Sequence, residues 1–260
     1  MRKTMKRLTL AAILVFALAQ FVSAATFVFY QIQVYKLSGK AQVERIDNYL
    51  KSAYLPALHR AGIKTVGVFK PIASDTTSGK KIIVWLPLTS LDQLDKLQNT
   101  LTKDVVYQKA GADVLNAPFD NVPFDRKESI LLKAFPEAPN YIIPGHKTIP
   151  SERIYELRSY EGPTEYLFRQ KVKMFNEGGE IKLFKSLEFN AIFYAEVISG
   201  STMPNLMYLT TFADMTAHDA HWKAFGSSPE WKRISGLDEY QHTVSNSVII
   251  LLYPTDYSDL

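Results

Sequence analysis

The sequence predicts an α+β protein built from two tandem β-α-β-β-α-β units. Three observations predict it. Strand-period and helix-period segments run through that order once before residue 136 and once after residue 151. Residues 136–151 hold Pro136, Pro139, Pro144, Gly145 and Pro150, the composition of a linker. The segment Tyr30-Gln31-Ile32-Gln33-Val34-Tyr35 also recurs as Tyr155-Glu156-Leu157-Arg158-Ser159-Tyr160. The offset of about 125 residues marks a duplicated domain rather than a solenoid repeat.

The elements follow in order. Residues 27–36 alternate β-branched or aromatic residues with polar ones, the pattern of a half-buried strand. From Lys40 to Arg60, Val43, Ile46, Leu50, Ala53 and Ala57 recur at helical spacing, with a kink expected at Pro56 and an end at Gly62. Residues 63–70 and 80–88 predict two strands. Ser90-Leu91-Asp92-Gln93 is a capping box that opens a helix to about Ala110. A strand at 129–135 closes the unit.

In the second unit, 152–160 predicts a strand. A helix follows, with Pro163 in its first turn and its end at Gly178-Gly179. Residues 187–198 and 206–213 predict strands, Asp214 caps a helix to about 225, Ser228-Pro229-Glu230 opens another turn, and 247–253 is the last strand. Leu88-Thr89-Ser90-Leu91 and Phe212-Ala213-Asp214-Met215 repeat the duplication at nearly the same offset. Each unit is then a ferredoxin-like sandwich, a four-stranded antiparallel sheet with two helices on one face. Two such sheets laid open face to open face form a pseudo-dimeric α+β barrel within one chain.

The N-terminus reads as a leader. Arg2, Lys3, Lys6 and Arg7 precede an apolar run from Leu8 to Ala19, and Val22 and Ala24 suit a cut after Ala24. The run is about a dozen residues, short of the ~20 a bilayer requires, so no stable span is expected after cleavage. The divisions expected are 1–24 leader, 25–136 first domain, 137–151 linker and 152–260 second domain, in an exported protein, periplasmic or secreted.

The formal charge of +4 comes entirely from those leader cations, because the other 26 bases balance 26 acids. A neutral chain without a basic run is not expected to take nucleic acid as a partner. Cys is 0, which excludes disulfides, thiol nucleophiles and thiolate metal sites. With 47% hydrophobic residues the chain can bury a core without staples.

Strand alternation nominates a site. In 155–160, Tyr155 and Leu157 share one face and Glu156, Arg158 and Tyr160 the other. With the apolar face given to the helices, the polar set points into the space between the sheets, where Asn190, Tyr194 and Glu196 of the next strand would converge on it. Arg158 would bind an anionic ligand group and Glu156 would orient it. The first unit has Gln31 and Gln33 at these positions, so the site is expected in the second unit alone.

His218 and His221, three apart on one predicted helix, are the metal candidates. They lack a third ligand, and neither a metal nor a cofactor is expected. Trp222, Phe225 and Trp231 read as anchors of helix on sheet. GxSxG, P-loop, GxGxxG and HExxH motifs are missing, which weighs against the commonest hydrolases and nucleotide enzymes without excluding an enzyme.

The sequence resembles the NIPSNAP family of the dimeric α+β barrel superfamily. The resemblance rests on Tyr155 to Tyr160, Trp222-Lys223-Ala224-Phe225, Pro229-Glu230-Trp231 and Ser247 to Pro254. A fainter version runs through Leu55-Pro56-Ala57-Leu58, Arg60-Ala61-Gly62 and Val66-Gly67-Val68-Phe69. It implies the fold and the tandem pairing, as a monomer with an intramolecular pseudo-dimer or as a homodimer, and it implies no reaction. Three functions stand open at this point: binding of a small anionic or amphipathic ligand between the sheets, a cofactor-free monooxygenase- or isomerase-like enzyme, and a protein-interaction module.

Overall fold

A computed structural model describes residues 28–143, 145–200 and 202–260. The predicted leader lies outside them. The first unit opens with β1 (Phe29–Lys36), whose odd-even alternation sends Tyr30, Ile32 and Val34 to one face and Gln31, Gln33 and Tyr35 to the other. The predicted helix from Lys40 forms as α1 (Lys40–Tyr49), a π-helical turn at Leu50–Tyr54, and α2 (Leu55–Arg60). The irregularity thus sits ahead of Pro56. Pro56 has no N–H for the Ser52 carbonyl and its ring crowds that carbonyl; a widened turn relieves both. Gly62, at φ +94°, ends the helix. Its N–H bonds to the His59 carbonyl and the Ile63 N–H to the Leu58 carbonyl, the paired bonds of a Schellman cap.

β2 (Gly67–Pro71) and β3 (Lys81–Leu88) follow. The expected single helix to Ala110 is instead α3 (Leu91–Lys103), α4 (Val105–Ala110) and α5 (Ala112–Leu115). Asp104 causes the break: it takes extended backbone and its carboxylate recaps the chain at the Tyr107 N–H, 2.9 Å away. β4 (Arg126–Ala134) completes the unit. The second unit comprises β5 (Ile154–Glu161), α6 (Glu165–Asn176), α7 (Glu180–Ser186), β6 (Asn190–Ser199), β7 (Asn205–Phe212), α8 (Met215–Ser227), α9 (Pro229–Ser235) and β8 (Asn246–Pro254). Sequence reading missed α7, and it placed Pro163 inside α6, whereas Thr164 caps that helix and Pro163 precedes it.

The eight strands close into one barrel in the order β1-β3-β2-β8-β5-β7-β6-β4. Each unit contributes the 4-1-3-2 order of a ferredoxin-like sheet, and the units join at two seams, β2 with β8 and β4 with β6. At the first seam the chain end extends the pairing. The Thr255 N–H bonds to the Val68 carbonyl, the Asp259 N–H bonds to the Val66 carbonyl, and Leu260 enters the barrel core. The pseudo-dimeric barrel predicted from the duplication is the fold.

The assignment of faces is corrected. Tyr155 and Leu157 point into the barrel, where they join Tyr30, Phe69, Trp85, Leu132, Phe193 and Leu209 in a packed core. Glu156, Arg158 and Tyr160 point outward, under the helices. Both faces of this sheet are covered, one by the opposite sheet and one by helices, so alternation alone identifies two faces without saying which is which. The barrel centre took the apolar set because apolar residues from eight strands meet there with no helix to supply a polar partner.

Among the described residues, no helix is long and apolar enough to cross a membrane.

Candidate functional site

The site lies on the outer face of the second sheet, beneath α6, α7 and α8. Its centre is Glu156 of β5, 1% exposed. Such a burial is tolerable only if every oxygen is matched. Arg158 donates from Nε at 2.9 Å and from Nη2 at 2.8 Å to Oε1, and Trp222 Nε1 donates to Oε2 at 2.5 Å. His218 Nε2 stands 3.4 Å from Oε2, an ion-pair distance without hydrogen-bond alignment. Burial pushes the Glu156 carboxyl upward, and the nearby His218 together with the charge and hydrogen bonds of Arg158 outweigh it, holding the pKa below its ordinary value.

Helix α8 delivers two of these partners because His218 and Trp222 are four residues apart and share one face. The capping Asp214, whose Oδ1 accepts from the Ala217 N–H at 2.8 Å, fixes where that face begins. The Trp222 ring lies flat against the Arg158 guanidinium, 3.6 Å from its centroid. His218 also pairs through Nδ1 with Asp219, 2.8 Å away. Burial lowers its pKa, but carboxylates on both sides overcome that and raise it above the ordinary histidine value.

A hydroxyl relay continues outward. Arg158 Nη1 donates to the Tyr160 hydroxyl at 3.0 Å, and Tyr160 and Tyr208 hydroxyls lie 2.9 Å apart. A second buried ion pair stands beyond it. Lys171 of α6, 6% exposed, meets Glu180 of α7, 2% exposed, at 2.9 Å. Gly178 and Gly179 make this pairing possible. A Cβ on Gly178 would sit 2.7 Å from the Met174 carbonyl oxygen, and Gly179 holds φ +99°. The resulting corner sets Glu180 in the first turn of α7, facing the side of α6 that carries Lys171, and at the positive end of its helix.

Between these groups is a cavity of about 280 Å³, lined by Arg158, Lys171, Glu180, the Tyr160–Tyr208 pair, Trp222, Trp231 and, from β8, Ser247. Three of the five Arg158 N–H groups are engaged, leaving one on each terminal nitrogen. The cavity therefore offers cationic donors against aromatic walls.

Of the residues predicted from sequence, Glu156, Arg158 and Tyr160 come together, though outside the barrel rather than between the sheets. Tyr194 lies in the same layer, stacked on Tyr208 with centroids 5.6 Å apart. Glu196 pairs with Arg169 at the surface and Asn190 is exposed, its amide on the Glu188 carbonyl, so neither joins the site. His218 and His221 diverge: His221 bonds through Nδ1 to the Ala217 carbonyl at 2.6 Å and packs against Phe189. No cluster of three or more His, Asp or Glu able to hold a metal occurs among the described residues.

Sequence reading missed Lys171, Glu180, Tyr208 and the polar role of Trp222. The i, i+4 spacing of His218 and Trp222 opposite an outward Glu was the available signal. Lys171 and Glu180 gave none, because a helical Lys and Glu nine positions apart meet only if the helix turns between them.

Among the described residues the first unit carries no ion pair at the equivalent strand positions. Gln33 donates to Gln31 at 3.0 Å and to the Tyr54 hydroxyl at 2.7 Å, and Gln31 donates to Ser129 at 2.8 Å. Where Arg158 faces Tyr208 across the ladder, Gln33 faces Val84.

Comparison with known proteins gives the fold a context. A putative monooxygenase from Lactobacillus acidophilus superposes with a TM-score of 0.57 at 10% identity, covering 88% of this chain and 94% of that one. One from Fusobacterium nucleatum gives 0.54 at 7% identity, covering 88% and 93%. A NIPSNAP-like protein from Burkholderia xenovorans is 18% identical over 42% of this chain and 90% of its own, with a TM-score of 0.38. At these identities the likeness to the Lactobacillus and Fusobacterium structures is one of fold. None of the curated proteins matches the chain. Residues 155–259, which span the strand carrying Glu156 and Arg158 through the end of β8, match the NIPSNAP family model.

Proposed function

We propose that the second half of the chain binds a small amphipathic carboxylate in the cavity beneath α6, α7 and α8. Arg158 takes the carboxylate and Trp222, Trp231 and Tyr208 enclose the apolar body. The observation that carries this reading is the state of Arg158. Glu156 and Trp222 fix its guanidinium in place, and two N–H groups are still unclaimed at the cavity. A held guanidinium is the donor best matched to a carboxylate, and its preorganisation spares the ordering cost of binding. The ligand site predicted between the sheets is thus moved to the space between one sheet and its helices.

The test is titration of the full chain with 4-phenylbutyrate and with its amide, followed by tryptophan fluorescence. The acid should bind at least about tenfold more tightly, and Arg158→Gln should abolish that preference, since a charge-assisted hydrogen bond contributes roughly 1.5–3 kcal/mol. Equal affinity for acid and amide in the wild type would refute the reading.

We also propose export with cleavage after Ala24, supported by the basic start and the short apolar run. The intact mass of protein from the exported fraction should correspond to a chain starting at Ala25; a retained leader refutes it.

A further inference from the structure

The Lys171–Glu180 pair is not required by the fold. At the same turn of α1 in the first unit the residue is Ile46, fully buried among apolar neighbours. A buried ion pair is costly to desolvate and is commonly replaceable by apolar side chains without loss of stability. The second unit nevertheless keeps one, in the wall of a cavity.

The surroundings of Lys171 are unusual for an ammonium. Among the described residues its anionic partner is Glu180, it also bonds to the Met174 sulfur at 3.3 Å, and the Phe175, Tyr160 and Trp231 rings stand 4.8, 5.6 and 5.7 Å away. Burial holds the Glu180 carboxyl above its ordinary pKa, with Lys171 and Arg158 opposing it. A Lys–Glu pair in such a place has a second arrangement, amine beside carboxylic acid, which removes both buried charges by one proton transfer. In that arrangement the amine has a free lone pair and an adjacent acid, the two requirements of a nucleophilic lysine.

We propose that Lys171 forms an imine with the carbonyl carbon of a 2-oxo acid whose carboxylate is held by Arg158. This rests on the carboxylate reading above. The lone pair of Lys171 Nζ adds to the carbonyl carbon and the C=O π pair moves to oxygen, which takes the proton from Glu180. The carbinolamine nitrogen returns a proton to Glu180, which passes it to the hydroxyl as that leaves as water. Overall a C=N bond replaces the C=O bond. Two of the three ammonium hydrogens depart in water, and the third stays on the iminium nitrogen facing the Glu180 carboxylate. No oxidant or cofactor is consumed.

The experiment exposes the full chain to phenylpyruvate and sodium cyanoborohydride, which reduces an iminium to a stable secondary amine, and locates the adduct by peptide mapping. A parallel titration uses 3-phenyllactate, which has the carboxylate and ring but no carbonyl. One adduct should form on Lys171, at least tenfold above any other lysine. Lys171→Arg should lose it, and Glu180→Gln should slow it at least tenfold with unchanged circular dichroism. If phenyllactate binds and Lys171 is not labelled above the surface lysines, the imine is refuted and the carboxylate site stands. If phenyllactate does not bind, the carboxylate site falls and the imine with it. Should Lys171→Arg not fold, the wild-type map decides alone.

Discussion

Replacing Glu156 by Gln tests the electrostatic account of the site most directly. The side chains are nearly the same size, so no cavity opens and the change is one of charge and hydrogen bonding. Arg158, with 15% of its side chain exposed, loses the carboxylate that accepts from both Nε and Nη2. Trp222 Nε1 loses its acceptor wherever the amide turns its NH2 toward the indole. Removing one partner of a buried pair costs about 3–5 kcal/mol, mostly for the charge left unpaired. Residual solvent at Arg158 places the expected value near the lower end. At about 2–4 °C per kcal/mol for a chain of this size, the melting temperature should fall by about 6 °C or more. Urea denaturation of Glu156→Gln, Arg158→Met and the double variant then isolates the pair. The double variant should be more stable than the sum of the single losses by at least about 1 kcal/mol. A loss below about 1 kcal/mol for Glu156→Gln, or strict additivity, would mean that the carboxylate and guanidinium are not coupled, and the description of Arg158 as held would fail.

His218 gives a pH prediction whose sign is fixed. Its pKa is raised on folding, so its stabilisation is complete below the unfolded value of about 6.5 and is lost as pH rises through the folded one. The stability of His218→Gln measured by denaturation should therefore fall less than that of wild type as pH rises above about 6.5; parallel curves refute the assignment. Glu156 has the opposite sign: its depressed pKa stabilises above about 4.5 and the contribution disappears as pH falls, so Glu156→Gln should flatten the acid limb. Gly178→Ala sets a Cβ against the Met174 backbone and Tyr240, so it should destabilise by roughly 1–3 kcal/mol and weaken 4-phenylbutyrate binding by displacing Glu180 and Lys171. Substituting Gln33→Arg in the first unit should destabilise by several kcal/mol, roughly the cost of an unpaired buried charge, because Gln31, Tyr54 and Val84 offer it no counterion.

The fold was legible because its determinants are local and repeated. Alternation in Tyr30–Tyr35 and Tyr155–Tyr160, the caps at Ser90 and Asp214, and the stop at Gly62 each dictate an element without reference to the rest. The duplication then supplied the pairing. Sequence reading lost accuracy where a residue answers to tertiary partners. Asp104 recaps a helix that periodicity runs through, and the Gly178-Gly179 corner starts a new helix where a loop was expected. The site was half legible for the same reason. Glu156, Arg158 and Tyr160 share a face by strand period alone, whereas Lys171 and Glu180 meet only through that corner. The direction of the face was misread because Tyr155 and Leu157 satisfy a barrel centre as well as a helix layer.

The two units differ in a way the barrel itself explains. Closure needs the inner faces of both sheets, and these remain alike in kind: Tyr30 and Ile32 on β1 correspond to Tyr155 and Leu157 on β5, all packed in one core. It also needs the seams, where Phe69 to Pro71 meet Leu252 to Pro254 and Leu131 to Ala134 meet residues of β6. Neither constraint reaches the outer faces. There each sheet answers only to its own helices, and the two halves have diverged without disturbing closure. The first unit fills its outer layer with Tyr49, Tyr54, Tyr107 and two glutamines bonded to each other and to their neighbours. The second places two buried ion pairs and a cavity in the equivalent layer. A pair of identical subunits would have to change both outer faces together, whereas a tandem chain can dedicate one sheet to structure and leave the other to chemistry. The charged outer face of β5 therefore lies where closure of the barrel leaves the sequence free to differ between the two halves.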